Sequence, residues 1–389
     1  MAPSVLHPAA IVSDGVALDK SQVEYAGFKG QPAPDSTRIL VVRIGAIGDT
    51  LMTTPAVRAL RHQFPGAYLG FLCSPAAYPV LQHNPHLDRV VPLAHWRVPR
   101  WLSSARRRAL NGLRKDGFSA LLVLESDARL LGIVRGAGAK RVIAYGALAE
   151  EGGFERAAFN PQQHMIENHL QAAGKLGAQP AGQDMDLGYP PALEAALWEK
   201  LSREGIRKAG ILAGIHAGWG GRKHSLNETR LRSWPPHRFA EIVRSLVNQM
   251  GASMVLTGSA RDWPLNQLIV KLAGVPCLNL AGRLSLLEGA ALLRRLDVYL
   301  TVDSGPAHMA AALGTPLVTL WGPGIFQQTS PRGTRGPIRI LNHHVHCAPC
   351  YGTPLMKSCR DNICMTEIET REVLGAVQQM LASRRTVGR

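Results

Sequence analysis

Nowhere in this 389-residue chain do about 18 apolar residues run together, so no membrane-spanning helix is expected. The first 36 residues lack the basic segment feeding an apolar stretch that marks a secretory leader, and they carry Pro32 and Pro34 near their end. They read as a flexible extension (1–36), and a cytoplasmic protein is the simplest expectation. Acidic residues are scarce. The 28 Asp and Glu stand against 44 Lys and Arg, a formal charge of +16 that implies an anionic partner or surface. The interleaving of aromatic and basic residues seen in recognised nucleic-acid-binding folds is missing, so nucleic acid is not the expected partner. Also missing after the first strand-like run is the third glycine of a dinucleotide fingerprint, with its acidic residue at the end of the next strand. That disfavours a Rossmann oxidoreductase. What the chain does have is 46% hydrophobic content, enough at this length for two cored domains.

Two motifs stand near opposite ends. Near the start, Arg38-Ile39-Leu40-Val41-Val42 reads as a buried parallel strand, and Gly45 and Gly48 make the turn that follows. Asp49 then opens a helix carrying Leu51, Ala56, Val57 and Leu60. Its carboxylate either caps that helix or acts as a general base toward a hydroxyl. Near the other end, the strand Val298–Val302 leads into Asp303-Ser304-Gly305-Pro306-Ala307-His308, an Ala-rich helix, and a second strand, Leu317–Leu320. In such a βαβ unit the ligand site lies at the strand's carboxyl end, where N–H groups beside Ser304 and Gly305 can hold a diphosphate. His308 either bonds a phosphate or ribose or packs under the Asp303 loop.

Between them, further strands are expected at 68–72, 89–91, 120–123, 141–144, 211–215, 253–256 and 277–279, with helices at 103–113, 129–135, 165–176 and 193–204. A final helix is expected over about 366–383, and turn-rich residues 179–183 and 189–191 read as the linker. Strands and helices alternating in two blocks imply an α/β protein of two doubly wound Rossmann-like domains facing across a cleft.

Together these motifs resemble glycosyltransferase family 9, the ADP-heptose:lipopolysaccharide heptosyltransferase family. The first pattern, G-x-x-G-D then T-x-P, is Gly45 to Asp49 with Thr53-Thr54-Pro55; the last, D-[ST]-G-x-x-H-x-x-A-A-L-G-T-P, spans Asp303 to Pro316. A middle element, H-x-G and then a basic residue two places before Trp-Pro, is His216-Ala217-Gly218 with Arg232-Ser233-Trp234-Pro235. The resemblance implies the GT-B fold: an acceptor-binding domain (37–185), a nucleotide-sugar-binding domain (190–345), and a segment (346–389) whose Cys-rich stretch precedes a helix crossing back to the first domain. It implies an inverting glycosyltransferase moving a sugar, foremost heptose from ADP-heptose, onto a lipopolysaccharide core or related glycan. Asp49 would be the base, and Asp303 would help hold or orient the donor. Arg232 would neutralise the diphosphate where the family usually has Lys, with Arg222 and Lys223 as rivals, and no metal would be required for catalysis. Donor contacts would come from His216, Gly218, Thr257, Gly258, Ser259, Ser304, Gly305 and His308, and Asn279 to Arg283 matches a segment near the nucleobase. Another donor, a protein acceptor, an epimerase and a non-catalytic nucleotide-binding protein remain the alternatives.

Two features stand outside those motifs. Basic residues peak at Arg97, Arg100, Arg106, Arg107 and Arg108, beside Trp96 and Trp101. That composition suits an anionic inner-membrane surface, a phosphorylated glycolipid acceptor, or a solvated helix face with its arginine stems laid on apolar surface. Four of the six cysteines, Cys347, Cys350, Cys359 and Cys364, fall within 18 residues. The spacing suits a structural Zn or Fe site, with reduced thiols and disulfides as the other readings. Cys73 and Cys277 lie in strand-like runs and read as core.

Overall fold

The computed structural model describes residues 37–94, 103–206, 210–218 and 230–386, with side chains described as far as residue 382. The extension 1–36, Arg97, Arg100, Arg222 and Lys223 lie outside the described residues. The first half forms a six-stranded sheet: β1 (Arg38–Arg43), β2 (Tyr68–Cys73), β3 (Arg89–Pro92), β4 (Ala120–Val123), β5 (Arg141–Ala144) and the two-residue β6 (Glu155–Arg156). The second half forms another: β7 (Leu212–His216), β8 (Ser253–Leu256), β9 (Leu278–Asn279), β10 (Val298–Val302), β11 (Leu317–Leu320) and β12 (Ile338–Leu341). Neither β6 nor β12 was expected. One is too short to show a pattern, and the other, Ile338-Arg339-Ile340-Leu341, sits at a sheet edge behind a turn-rich approach.

Every strand pair is parallel, with spatial orders β3-β2-β1-β4-β5-β6 and β12-β11-β10-β7-β8-β9. The unbroken apolar run of β1 follows from burial on both faces. Ile39 and Val41 enter one core, and Leu40 and Val42 enter the other. In each sheet the chain reverses direction of growth beside one central strand: between β1 and β4, and between β10 and β7. Those crevices are where open parallel sheets take ligands, and each of the three motifs lies just beyond β1, β7 or β10.

The helices that frame the site are α1 (Ile47–Leu51), α2 (Thr54–Gln63), α3 (Ser104–Asp116), α4 (Met165–Gly174), α5 (Ala192–Arg203), α6 (Pro236–Met250), α7 (Leu286–Arg295), α8 (Gly305–Leu313) and α9 (Thr370–Thr386). The T-x-P element separates α1 from α2. Thr53 and Thr54 hydroxyls donate to the carbonyls of Thr50 (2.6 Å) and Leu51 (2.8 Å), and Pro55 can stand in the first turn because no N–H is needed there. One apolar cluster runs from α2 and α4 of the first half into α7 and α8 of the second. The stretch 179–191 is irregular and is held by both halves. Arg58 on α2 donates to the Ala181 and Asp184 carbonyls, and Thr334 and Arg335 bond Asp184 and the Met185 carbonyl.

One expectation is corrected. The terminal helix does not cross back to the first domain: α9 lies against α6, β10 and β11, with Val373, Ala376, Val377 and Leu381 in the second domain's own core. Its apolar stripe matches the second sheet's outer face, which would otherwise stay exposed to water. No helix among the described residues is long and apolar enough to cross a membrane.

Candidate functional site

The two end motifs, more than 250 residues apart in the chain, meet in space: α1 packs directly on α8. The approach is close enough that a Cβ on Gly48 would lie 2.5 Å from the His308 ring, and one on Gly305 3.3 Å from Ile47. Gly48 therefore gives clearance between the domains, not the turn dihedral that the sequence suggested.

Asp49 is not the cap of α1. It stands three residues beyond the N-cap Ala46 and reaches back to accept that residue's N–H at 3.2 Å. Its other oxygen pairs with Arg43 at 3.3 Å, and the side chain keeps about a third of its surface open, so the carboxylate is held yet accessible. Arg43 also pairs with Glu125 at 3.2 Å and donates to the Leu124 carbonyl at 2.7 Å. Glu125 in turn accepts from Ile44 N–H at 3.0 Å. Burial pushes the Glu125 carboxyl up, opposed by Arg43. Arg43 and Glu125 thus fix the base candidate from behind. Nothing in the linear sequence marks Glu125, which enters only because β4 lies beside β1.

Across the cleft, Asp303 pairs with Arg232 at 3.0 Å. Burial raises the Asp303 carboxyl, Arg232 lowers it and Asp49 raises it again, so the two motif carboxylates feel one another. His308 is buried, and its Nδ1 has no protein partner. Burial holds its pKa down to about 4 despite the nearby Asp49, so a neutral ring faces the cleft at pH 7. Ser304 is the N-cap of α8, but its hydroxyl lies 3.0 Å from that of Thr301 instead of capping. The Asp303 loop is closed from outside by Gly322-Pro323-Gly324: a Cβ on Gly324 would sit 2.5 Å from Asp303 Oδ2.

The middle motif forms the neighbouring wall. His216 is buried, which lowers its pKa, while Asp262 raises it; its Nδ1 lies 3.4 Å from Thr257 Oγ1. Thr257-Gly258-Ser259 follows β8 and is organised by Asp262, whose Oδ2 accepts both Ser259 N–H and Oγ–H at 2.8 Å. Asp262 also fills the space over Gly218, where a Cβ would meet its oxygen at 2.0 Å. The spacing S-x-x-D was a readable signal for that carboxylate. Asn279 turns its side-chain carbonyl onto Ala281 N–H at 3.1 Å, and Ser285 caps α7 through Glu288. On the basic helix α3, Arg107 and Arg108 are exposed, whereas Arg106 turns toward Gly132 on the neighbouring helix.

The four-cysteine knuckle is a second correction. Among the described residues no group of three or more His, Cys, Asp or Glu side chains is placed to hold a metal ion. All four are free thiols near enough for their charges to act on one another: Cys350 and Cys359 pack with Leu231 and Met356, Cys364 enters the second domain's core, and Cys359 donates to the Asp361 carbonyl. Burial, with the neighbouring thiols adding, pushes Cys364 up to about 12. Just upstream, His343 is paired with Glu372 at 2.9 Å. Cys73 is core as expected, and Cys277 is half-buried just before β9. A cavity of about 500 Å³ opens beside His343 and Glu372, lined by Arg339, Glu369 and Arg371 among others; none of its residues belongs to the motif loops.

Residues 224–358 match the profile of glycosyltransferase family 9 (heptosyltransferase). A lipopolysaccharide heptosyltransferase 2 from Salmonella typhimurium is 27% identical over 319 residues, 76% of this chain and 85% of that protein. Among solved structures, a family 9 glycosyltransferase from Veillonella parvula superposes with a TM-score of 0.76 at 19% identity, covering 91% of this chain and all of that one. The ADP-heptose LPS heptosyltransferase II of E. coli gives 0.71 at 20% identity, covering 90% of this chain and all of that one. The two-sheet α/β fold is thus shared with those proteins.

Proposed function

This chain belongs to glycosyltransferase family 9, and from that premise we propose that it transfers heptose from ADP-heptose to a lipopolysaccharide-type acceptor with inversion. The carrying observation is the meeting of Asp49 with Asp303, Arg232 and His308, from separate domains, at the switch points of both sheets. Inversion needs one displacement. The acceptor oxygen attacks the anomeric carbon from one side while the bond to the diphosphate breaks on the other. Asp49, braced by Arg43, takes the hydroxyl proton from the first-domain side. Arg232 meets the charge growing on the leaving diphosphate, and a guanidinium fork suits phosphate oxygens. Neutral His308 and the N–H groups at the start of α8 would hold phosphate or ribose oxygens. Asp303 keeps Arg232 in place. His216, Gly218 and the Thr257-Gly258-Ser259 loop would form the nucleoside side of the pocket.

Asp49→Asn removes the base while keeping the shape. Turnover should fall at least about a hundredfold, within the usual range for a general base, with ADP affinity unchanged within twofold. Retained turnover, or an equal loss of ADP binding, would make Asp49 structural. ADP should raise the melting temperature more than UDP, GDP or CDP, and equally with or without Mg²⁺. A preference for another nucleotide would move the donor and keep the fold.

A further inference from the structure

The Cys-rich segment is left without a task by the reaction, yet it touches the site at one point. The Arg232 guanidinium carbon lies over the ring of Tyr351, 4.1 Å from its centroid. Residues 230–233 and 347–362 are laced together around that contact. Arg230 donates to the carbonyls of Arg360 (2.6 Å) and Cys359 (3.1 Å), and Asn362 Nδ2 donates to those of Arg230 (3.2 Å) and Ser233 (3.0 Å). Leu231 packs on Cys350 and Met356. The N–H groups of Cys350 and Tyr351 both bond the Pro323 carbonyl, at 3.1 and 3.0 Å. Pro323 is the centre of the turn whose Gly324 abuts Asp303. One turn therefore sets both supports of Arg232: the carboxylate that accepts its Nη1–H and the ring beneath its plane.

We propose that Tyr351 is a positioning residue for Arg232, and that the Cys-rich segment serves to present this ring to the diphosphate-binding guanidinium. The inference rests on the donor-site reading of Arg232 given above. A cation over an aromatic face is held by the ring's quadrupole; here the guanidinium is shielded, Arg232 being 7% exposed, while the outer part of Tyr351, 40% exposed, meets water. With Nη1 bonded to Asp303 and the ring fixing its plane, the guanidinium meets a diphosphate already ordered, and preorganised groups bind with a smaller entropy loss. It also explains why arginine can stand where the family usually has lysine. A planar, weakly hydrated guanidinium can lie on a ring and donate in its own plane at once, whereas an ammonium is a compact, strongly hydrated point charge.

The test is a double-mutant cycle on the full chain, reading ADP affinity by calorimetry and donor KM and kcat by initial rates. Tyr351→Ala and Tyr351→Leu should each weaken ADP binding and raise donor KM roughly three- to tenfold, the range of one cation–π contact, with kcat much less affected. Tyr351→Phe keeps the ring and should restore wild-type affinity. In an Arg232→Ala background, Tyr351→Ala should add nothing. Equal weakening in both backgrounds, or wild-type affinity for Tyr351→Leu, would overturn the proposal while leaving the role of Arg232 intact. Unchanged ADP affinity in Arg232→Ala alone would remove both.

Discussion

Gly48 shows how much one residue can decide. Its missing Cβ is the space into which the His308 ring fits, because any substituent there would lie 2.5 Å from the ring. Gly48→Ala should push the Asp49 helix from the Asp303 loop by about 1 Å, a displacement that can cost on the order of a hundredfold in rate. Steady-state turnover of that variant checks this; a rate within twofold of wild type would mean that the loops have room to spare. The motif G-x-x-G-D announced Gly48 and Asp49 in the sequence, but not the reason for the glycine. The reason lies 260 residues further along the chain, in a side chain that only the closed fold brings near. Arg43 was visible as part of the same motif, whereas its partner Glu125 was not, since β4 becomes a neighbour of β1 only through sheet order.

Among the elements, the strands were the most legible. The strands at 120–123, 141–144, 253–256, 298–302 and 317–320 lie where mainly apolar runs placed them, because strands buried on both faces leave few polar positions to blur them. The terminal helix was legible as a helix and not as to its place. Its stripe of Val373, Val377 and Leu381 fits any apolar face of matching width, and contact with the second sheet settles the choice. The basic helix α3 carries a prediction of its own. If it meets anionic lipid, Arg107→Gln/Arg108→Gln should reduce sedimentation with phosphatidylglycerol vesicles, since each cation near such a surface is worth roughly 1 kcal/mol. Arg106→Gln should matter less, because Arg106 faces Gly132. Unchanged sedimentation of the double variant would leave α3 a solvated face.

For the molecule as a whole, the interface between the halves makes stability depend on pH. His164 is buried between them. Its Nδ1 accepts Ile166 N–H at 3.3 Å, so the proton sits on Nε2, which donates to the Ser330 carbonyl at 2.9 Å. Burial lowers its pKa to about 4, as it does for His308, and the two rings also repel one another's charge. Unfolded histidines take up protons near pH 6.5, so below that pH the unfolded chain binds more protons and stability falls with pH. Between pH 7 and pH 5 the loss should be about 2 kcal/mol per histidine. Urea midpoints at the two pH values measure it. Burial also lowers His169, His216 and His86, so His164→Gln should reduce the wild-type loss by one histidine's share, whereas an unchanged loss would place the acid sensitivity elsewhere.

Sequence alone determined that there are two α/β halves, where most of their strands lie, and which three motifs follow strand ends. Apolar periodicity and glycine-acid turns are local properties, written within a dozen residues. Tertiary structure decided what depends on distance across the chain: the clearance at Gly48, the bracing of Asp49 by Glu125 through Arg43, the docking of the last helix on the second sheet, and the packing partners of the four thiols. It also turned Tyr351 from a residue of a cysteine-rich loop into the platform under Arg232. Spacing in sequence suggested a metal knuckle; the thiols do lie near one another, but packing draws Cys364 into the second domain's core and Cys350 onto Leu231 and Met356, and among the described residues no group is placed to hold an ion.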